Sequence, residues 1–168
     1  AYCLAGAATR TPDKPALLVL SKPGAPATET WTYANLERAV LRAAHHLRDA
    51  GLSPGDRILI RLDNTSAYAI LFFGAIAGGF VPIPASTELT DAEATFMLRD
   101  SGAAAVAVAP RHAAFAADLP GVHVFSAADI TAMLAEGELA SYADTAADDP
   151  GFLVYTSGTT AKPKSVLH

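Results

Sequence analysis

The tightest constraint on this chain is the way two hydrophobic periods alternate along it. From Arg57 to Leu62 the apolar residues Ile58, Ile60 and Leu62 fall at every second position, as one face of a β-strand requires. The next segment, from Ser66 to Gly78, reads as a helix that is apolar almost all round, and such a helix has to be buried. Phe80-Val-Pro-Ile-Pro84 returns to extended character. Its two prolines suit a sheet edge or a strand end, because proline donates no ladder hydrogen bond.

The same switch of period recurs on both sides. Ala16 to Leu20 reads as a short strand between breaks at Pro12, Pro15, Pro23 and Pro26. After Trp31-Thr-Tyr33, the residues Leu36, Val40, Ala43, Ala44 and Leu47 recur at helical spacing, with Thr32 placed to cap the helix and Gly51 to end it in a left-handed turn. Glu37, Arg38, Arg42 and Arg48 take the opposite side of that helix. Ser53-Pro-Gly-Asp56 is a turn signal. Thr90 and Glu93 have the spacing of a capping box, and a helix is expected from there through Phe96, Met97 and Leu98 to Gly102. Beyond it the pattern predicts a strand over 103–109, a short helix over 112–117, a strand over 122–125, a helix over 128–136 and a strand over 152–155. Phe72, Phe73 and Phe96 are assigned to the core. Strands that alternate with helices predict an α/β fold, a largely parallel sheet flanked by helices with ligand loops at the carboxyl ends of its strands. No linker divides the chain, which reads as one domain or part of one.

Composition removes several functional classes. The 168 residues are 51% apolar and 17% charged, which favours a folded domain over disorder. A net charge of −5 without a basic stripe argues against nucleic acid as a partner. The longest apolar stretch, Ala67 to Val81, is shorter than the roughly 20 residues that cross a bilayer and contains Gly74, Gly78 and Gly79, so no membrane span is expected. Cys3 is the only cysteine, which excludes an intrachain disulfide and a cysteine-cluster metal site and fits a reducing, cytoplasmic location. No basic-then-apolar leader is read at the N-terminus. The chain lacks an initial methionine and stops just after its most informative segment, so it is expected to be a piece of a longer protein.

That segment is Tyr155-Thr-Ser-Gly-Thr-Thr-Ala-Lys-Pro-Lys164. Gly158 lets the backbone turn its N–H groups toward a ligand, and the hydroxyls of Thr156, Ser157, Thr159 and Thr160 supply further donors. Lys162 and Lys164 add the positive charge a polyphosphate needs, with Pro163 stiffening the segment between them. On composition alone, a triphosphate cradle and a Ser/Thr-rich surface hairpin stand about level. A P-loop of the NTPase type matches the spacing from Gly158 to Ser165, except that Pro163 replaces the second glycine and removes a backbone donor the cradle uses. Such a loop also opens a helix, whereas Ser165-Val-Leu-His168 reads as a strand.

Tyr155 to Lys164 resembles the signature loop of the AMP-forming acyl-CoA synthetase family, the adenylate-forming superfamily. The family pattern is Tyr-Thr-Ser-Gly-Thr-Thr-Gly-x-Pro-Lys-Gly-Val with a nearby histidine. The chain matches it through Thr160 and at Pro163, Lys164, Val166 and His168, and departs at Ala161 and Ser165, where the family has glycine. Trp31-Thr-Tyr33, Gly51 to Ile58, Asn64, Ala75 to Gly79, Val81-Pro-Ile-Pro84 and Asp149-Pro150 are similar to the family's N-terminal landmarks, in the same order. The resemblance therefore spans residues 1–168 as the N-terminal portion of an AMP-binding (adenylation) domain.

The resemblance implies a ligase. A carboxylic acid attacks the α-phosphate of ATP, with Mg²⁺, to give acyl-AMP, and a thiol, here expected to be coenzyme A, takes the acyl group. It assigns the phosphates to Thr156, Ser157, Gly158, Thr159, Thr160 and Lys164, with a threonine hydroxyl reaching Mg²⁺. It places no nucleophile or general base in this segment, and it puts the adenine, ribose and acyl sites and a C-terminal lysine-bearing domain beyond His168, so the isolated chain is expected to be inactive. The alternative is a non-catalytic α/β module or a P-loop-type nucleotide-binding domain. If either departed glycine position needs positive φ, Ala161 or Ser165 carries roughly 1–2 kcal/mol of strain.

The remaining candidates are weaker. His45 and His46 are adjacent, point in different directions on a helix and cannot chelate as an i, i+4 pair does. His168 reads equally as a pocket histidine and as an ordinary strand residue. Asp148 and Asp149 read as a solvated turn. Asp63 and Asn64 end a strand, where they could face a cleft or simply make a turn.

Overall fold

The protein is described by a computed structural model covering residues 2–117, 119–135, 137–156 and 164–168. It opens with helix α1 (Tyr2–Arg10) and an antiparallel pair, β1 (Pro15–Leu20) and β2 (Ala27–Thr32). Neither α1 nor β2 was expected. The sequence Ala-Thr-Glu-Thr-Trp-Thr of β2 is mostly exposed and has no apolar alternation to announce it, so its strand character comes from pairing with β1.

Helix α2 (Tyr33–Asp49) begins where its cap predicts, the Thr32 hydroxyl accepting from the Asn35 N–H. Leu36, Val40, Ala43, Ala44 and Leu47 are all buried. At its end Gly51 has φ of +90°, its N–H bonds to Arg48 O and that of Leu52 to Leu47 O. This is the paired arrangement that a glycine beyond a helix C-terminus makes possible.

A parallel sheet follows, built from β3 (Arg57–Arg61), β4 (Val81–Pro84), β5 (Ala105–Val108) and β6 (His123–Phe125), in spatial order β4-β3-β5-β6. The proline-bearing β4 is an edge strand, as expected. The crossovers contain α3 (Ser66–Ala77), α4 (Asp91–Ser101) and, after a short 3₁₀ turn, α5 (Ala113–Ala116); α6 (Ala127–Leu134) follows β6. Both halves of the Thr90–Glu93 capping box are formed at the start of α4. The last pair, β7 (Leu153–Thr156) and β8 (Lys164–Leu167), is antiparallel. The fold is thus α/β with a four-stranded parallel sheet at its centre and an antiparallel pair near each end of the chain.

The pleat of β3 sends its residues into two cores. Ile58 and Ile60, with Leu62 just past the strand, pack with Leu47, Leu71, Ala75, Ile130 and Met133 on one face. Leu59 joins Val106, Val108, Ala94, Met97 and Leu98 on the other.

Two expectations change. Phe73 is not core: it is 47% exposed, while Phe72 and Phe96 are half-buried against the two cores. A helix apolar on every side gives no polar face to say which residue points outward. Second, the arginines opposite the core face of α2 are partly covered. Arg42 donates to Ala135 O (2.5 Å), Arg48 to Ser141 O (3.1 Å), and the Tyr142 hydroxyl to Glu37 (2.9 Å), so the segment before β7 is strapped along α2.

Candidate functional site

The β7–β8 ribbon brackets the loop. Its register pairs Leu153 with Leu167, Val154 with Val166, Tyr155 with Ser165 and Thr156 with Lys164. Thr156 and Lys164 therefore face each other across the neck, both exposed, and the Thr156 hydroxyl donates to Lys164 O at 3.5 Å. Ser157, Gly158, Thr159 and Thr160 lie outside the described residues, as do Ala161, Lys162 and Pro163. At the far end the His168 N–H donates to Phe152 O (2.9 Å), and the two rings stack with centroids 4.8 Å apart.

The ribbon bears on two expectations. The loop leaves into a strand, β8, and not into the helix that a P-loop opens. Ser165 lies within that strand, and among the described residues only glycines have positive φ, so the strain expected at Ser165 is absent. Its position is extended backbone, which any L-residue adopts. Ala161 lies outside the described residues.

Beside the neck, Tyr155 packs edge-on against Phe96 (6.5 Å, 76°), and its hydroxyl donates to Asp100 at 2.7 Å. Burial first, then the bond to Asp100, push that hydroxyl up to about 12, so it remains a donor across the physiological range.

A crevice of about 380 Å³ lies at the carboxyl ends of β3 and β4, lined by Leu62, Asn64, Tyr68, Pro84, Ala85, Ser86 and Thr87. This is where an open α/β sheet places its ligands. Asn64 faces it as one of the two readings had it, whereas Asp63 is paired with Arg111 at 2.6 Å. Arg61, which the sequence reading passed over, is only 1% exposed. It bonds Asp91 at 2.7 Å and Leu89 O, with its guanidinium 4.9 Å over the Phe115 ring, and so ties the loop after β4 to the centre of the sheet. An arginine at the end of an apolar strand reads as surface from sequence. The signal that could have found it is the strand's own alternation, which directs position 61 to the same face as Leu59.

His45 lies 3.1 Å from Asp49 and 3.8 Å from Glu138 on the surface of α2. Asp149 accepts from the Ala146 N–H at 2.7 Å, the solvated turn that was expected. Among the described residues no group of three or more His, Cys, Asp or Glu side chains is arranged to hold a metal ion. No helix there is long and apolar enough to cross a membrane.

A parallel sheet with a crevice at its strand ends is thus followed by an antiparallel ribbon whose neck carries Thr156 and Lys164. Comparison with known proteins identifies the fold. The structure matches an inhibitor-bound crystal structure of the N-terminal domain of FACL13 from Mycobacterium tuberculosis with a TM-score of 0.87 and 31% identity, over 99% of this chain and 43% of that one. In sequence the chain is 36% identical over 149 residues to a long-chain-fatty-acid–CoA ligase of Mycobacterium tuberculosis, covering 82% of this chain and 29% of the relative. It is 34% identical over 150 residues to the 4-hydroxybenzoate–CoA/benzoate–CoA ligase of Rhodopseudomonas palustris, covering 82% and 28%. The AMP-binding enzyme family matches residues 4–168, and the chain belongs to it. It spans less than a third of the length of these two relatives.

Proposed function

We propose that residues 1–168 are the N-terminal portion of the adenylation domain of an AMP-forming acid–thiol ligase that works in the cytoplasm. Its substrates are a small-molecule carboxylic acid, ATP and coenzyme A. In the first half-reaction a carboxylate oxygen bonds to the α-phosphorus of ATP, and the bond from that phosphorus to the β-phosphate bridging oxygen breaks, releasing pyrophosphate. In the second, the thiol sulfur bonds to the acyl carbon and AMP leaves.

In this reading Thr156, Ser157, Gly158, Thr159, Thr160 and Lys164 hold the β- and γ-phosphates, where charge accumulates as pyrophosphate departs. The observation that carries it is the neck. Thr156 and Lys164, the residues bracketing the hydroxyl-rich segment, are paired and exposed, which suits a hydroxyl donor and a cation closing on one polyanion. The donor set fits magnesium that arrives with the nucleotide, with phosphate oxygens, water and one loop hydroxyl as its ligands, since Mg²⁺ rarely uses an all-protein cage. Bound there, magnesium would neutralise phosphate charge. Acid, CoA and adenine sites then fall largely to the rest of the enzyme, and the isolated chain lacks ligase activity.

Coenzyme A as the acceptor, and a fatty or aryl acid as the substrate, draw support from the named activities of the two relatives, which act on long-chain fatty acids and on benzoates. The test is Lys164→Ala in the intact enzyme. Acid-dependent exchange of pyrophosphate into ATP should fall about 10²–10³-fold, as when one transition-state charge contact is removed. Exchange at the wild-type rate would end the assignment.

A further inference from the structure

Among the described residues, few contacts hold the β7–β8 ribbon in place near the neck. A two-stranded hairpin is marginal in water by itself. β8 is exposed along its whole length, so the ribbon's attachment falls on β7. Leu153 is buried at the start of β7, and Thr156 at its end is exposed, which leaves Tyr155 as the anchor adjoining the loop. Packing against Phe96 needs only the ring. The hydroxyl does more: it reaches Asp100, in the last turn of α4, with a bond of 2.7 Å. Met97 O, at 3.4 Å, is the weaker acceptor. A hydroxyl–carboxylate bond is charge-assisted and directional, so it fixes rotation of the strand end as well as its position.

We propose that Tyr155 is a positioning residue for ATP, its bond to Asp100 fixing the end of β7 where Thr156 and Lys164 face each other. The proposal rests on the assignment of that loop to the nucleotide phosphates. It predicts that ATP binding depends on a residue 55 positions upstream, and that the two side chains act as one unit.

The experiment measures pyrophosphate exchange in the intact enzyme with ATP and acid varied separately, for Tyr155→Phe, Asp100→Ala, the double variant and Lys164→Ala. Thermal unfolding is followed in parallel. Tyr155→Phe keeps the ring, and Asp100 is exposed, so both variants should fold. Each single change should raise KM for ATP about tenfold while leaving KM for the acid unchanged, and the double variant should be no worse than either. A lowered Tm with both KM values unchanged would overturn the proposal and leave Tyr155 a packing residue. Losses that add in the double variant would overturn it too. If Lys164→Ala is impaired while Tyr155→Phe matches wild type, the tether fails and the phosphate assignment stands. If Lys164→Ala is itself unimpaired, the phosphate assignment fails first.

Discussion

At the scale of single residues, the serine at position 165 in place of the family's glycine matters less than it looks in sequence. Ser165 pairs with Tyr155 inside a regular ribbon, where a side chain is no hindrance and glycine only adds freedom to the unfolded chain. Ser165→Gly should therefore leave pyrophosphate exchange no faster than wild type and lower stability by about 0.5–1 kcal/mol, read from the shift in thermal midpoint. Residues whose role is local were legible. Thr32, Thr90 and Gly51 announce their helix ends because caps are decided within a few positions. Arg61, Phe73 and the Tyr155–Asp100 bond were not, since each depends on what another element brings to it.

Between elements, two contacts show how the scaffold is held. Helices α2 and α3 cross so closely that a Cβ on Gly74 would lie 2.7 Å from the Ala43 Cβ and 3.1 Å from Val40 O. Gly74→Ala should destabilise the fold by about 1–3 kcal/mol in chemical denaturation, and Ala43→Gly should restore part of that. Glu29, on β2, accepts from the Ser66 hydroxyl at 2.6 Å and from the Trp31 indole at 3.0 Å, joining the outer pair to the first turn of α3. The Ser66 bond first, then that from Trp31, hold its carboxyl below the usual carboxylate range. A lowered folded-state pKa means that this stabilisation is complete above the unfolded value and is lost as pH falls through the folded one. Glu29→Gln should thus flatten the acid side of the curve of thermal midpoint against pH and change little at neutrality. β2 itself stayed hidden in the sequence for a related reason: its polar residues acquire partners only when β1 and α3 arrive.

For the molecule as a whole, the alternation of periods was enough to give a parallel α/β sheet, its edge strand and the strand that follows the loop. It could not give the order β4-β3-β5-β6, because strands of similar apolar content are interchangeable until their crossovers pack. Nor could it give the strap along α2, whose contacts join residues 93 to 105 positions apart. The proposed chemistry rests on one short segment that concentrates hydroxyls, glycine and lysine, the residue types phosphate recognition uses. In the function proposed, this segment, closed by Thr156 and Lys164, grips the phosphates of ATP. Modification of Lys164 by an amine-reactive reagent in the intact enzyme, with and without Mg·ATP, tests it most directly. ATP and pyrophosphate should protect Lys164 strongly and adenosine should not; labelling equal to that of the unliganded enzyme with ATP and with pyrophosphate would end the phosphate assignment.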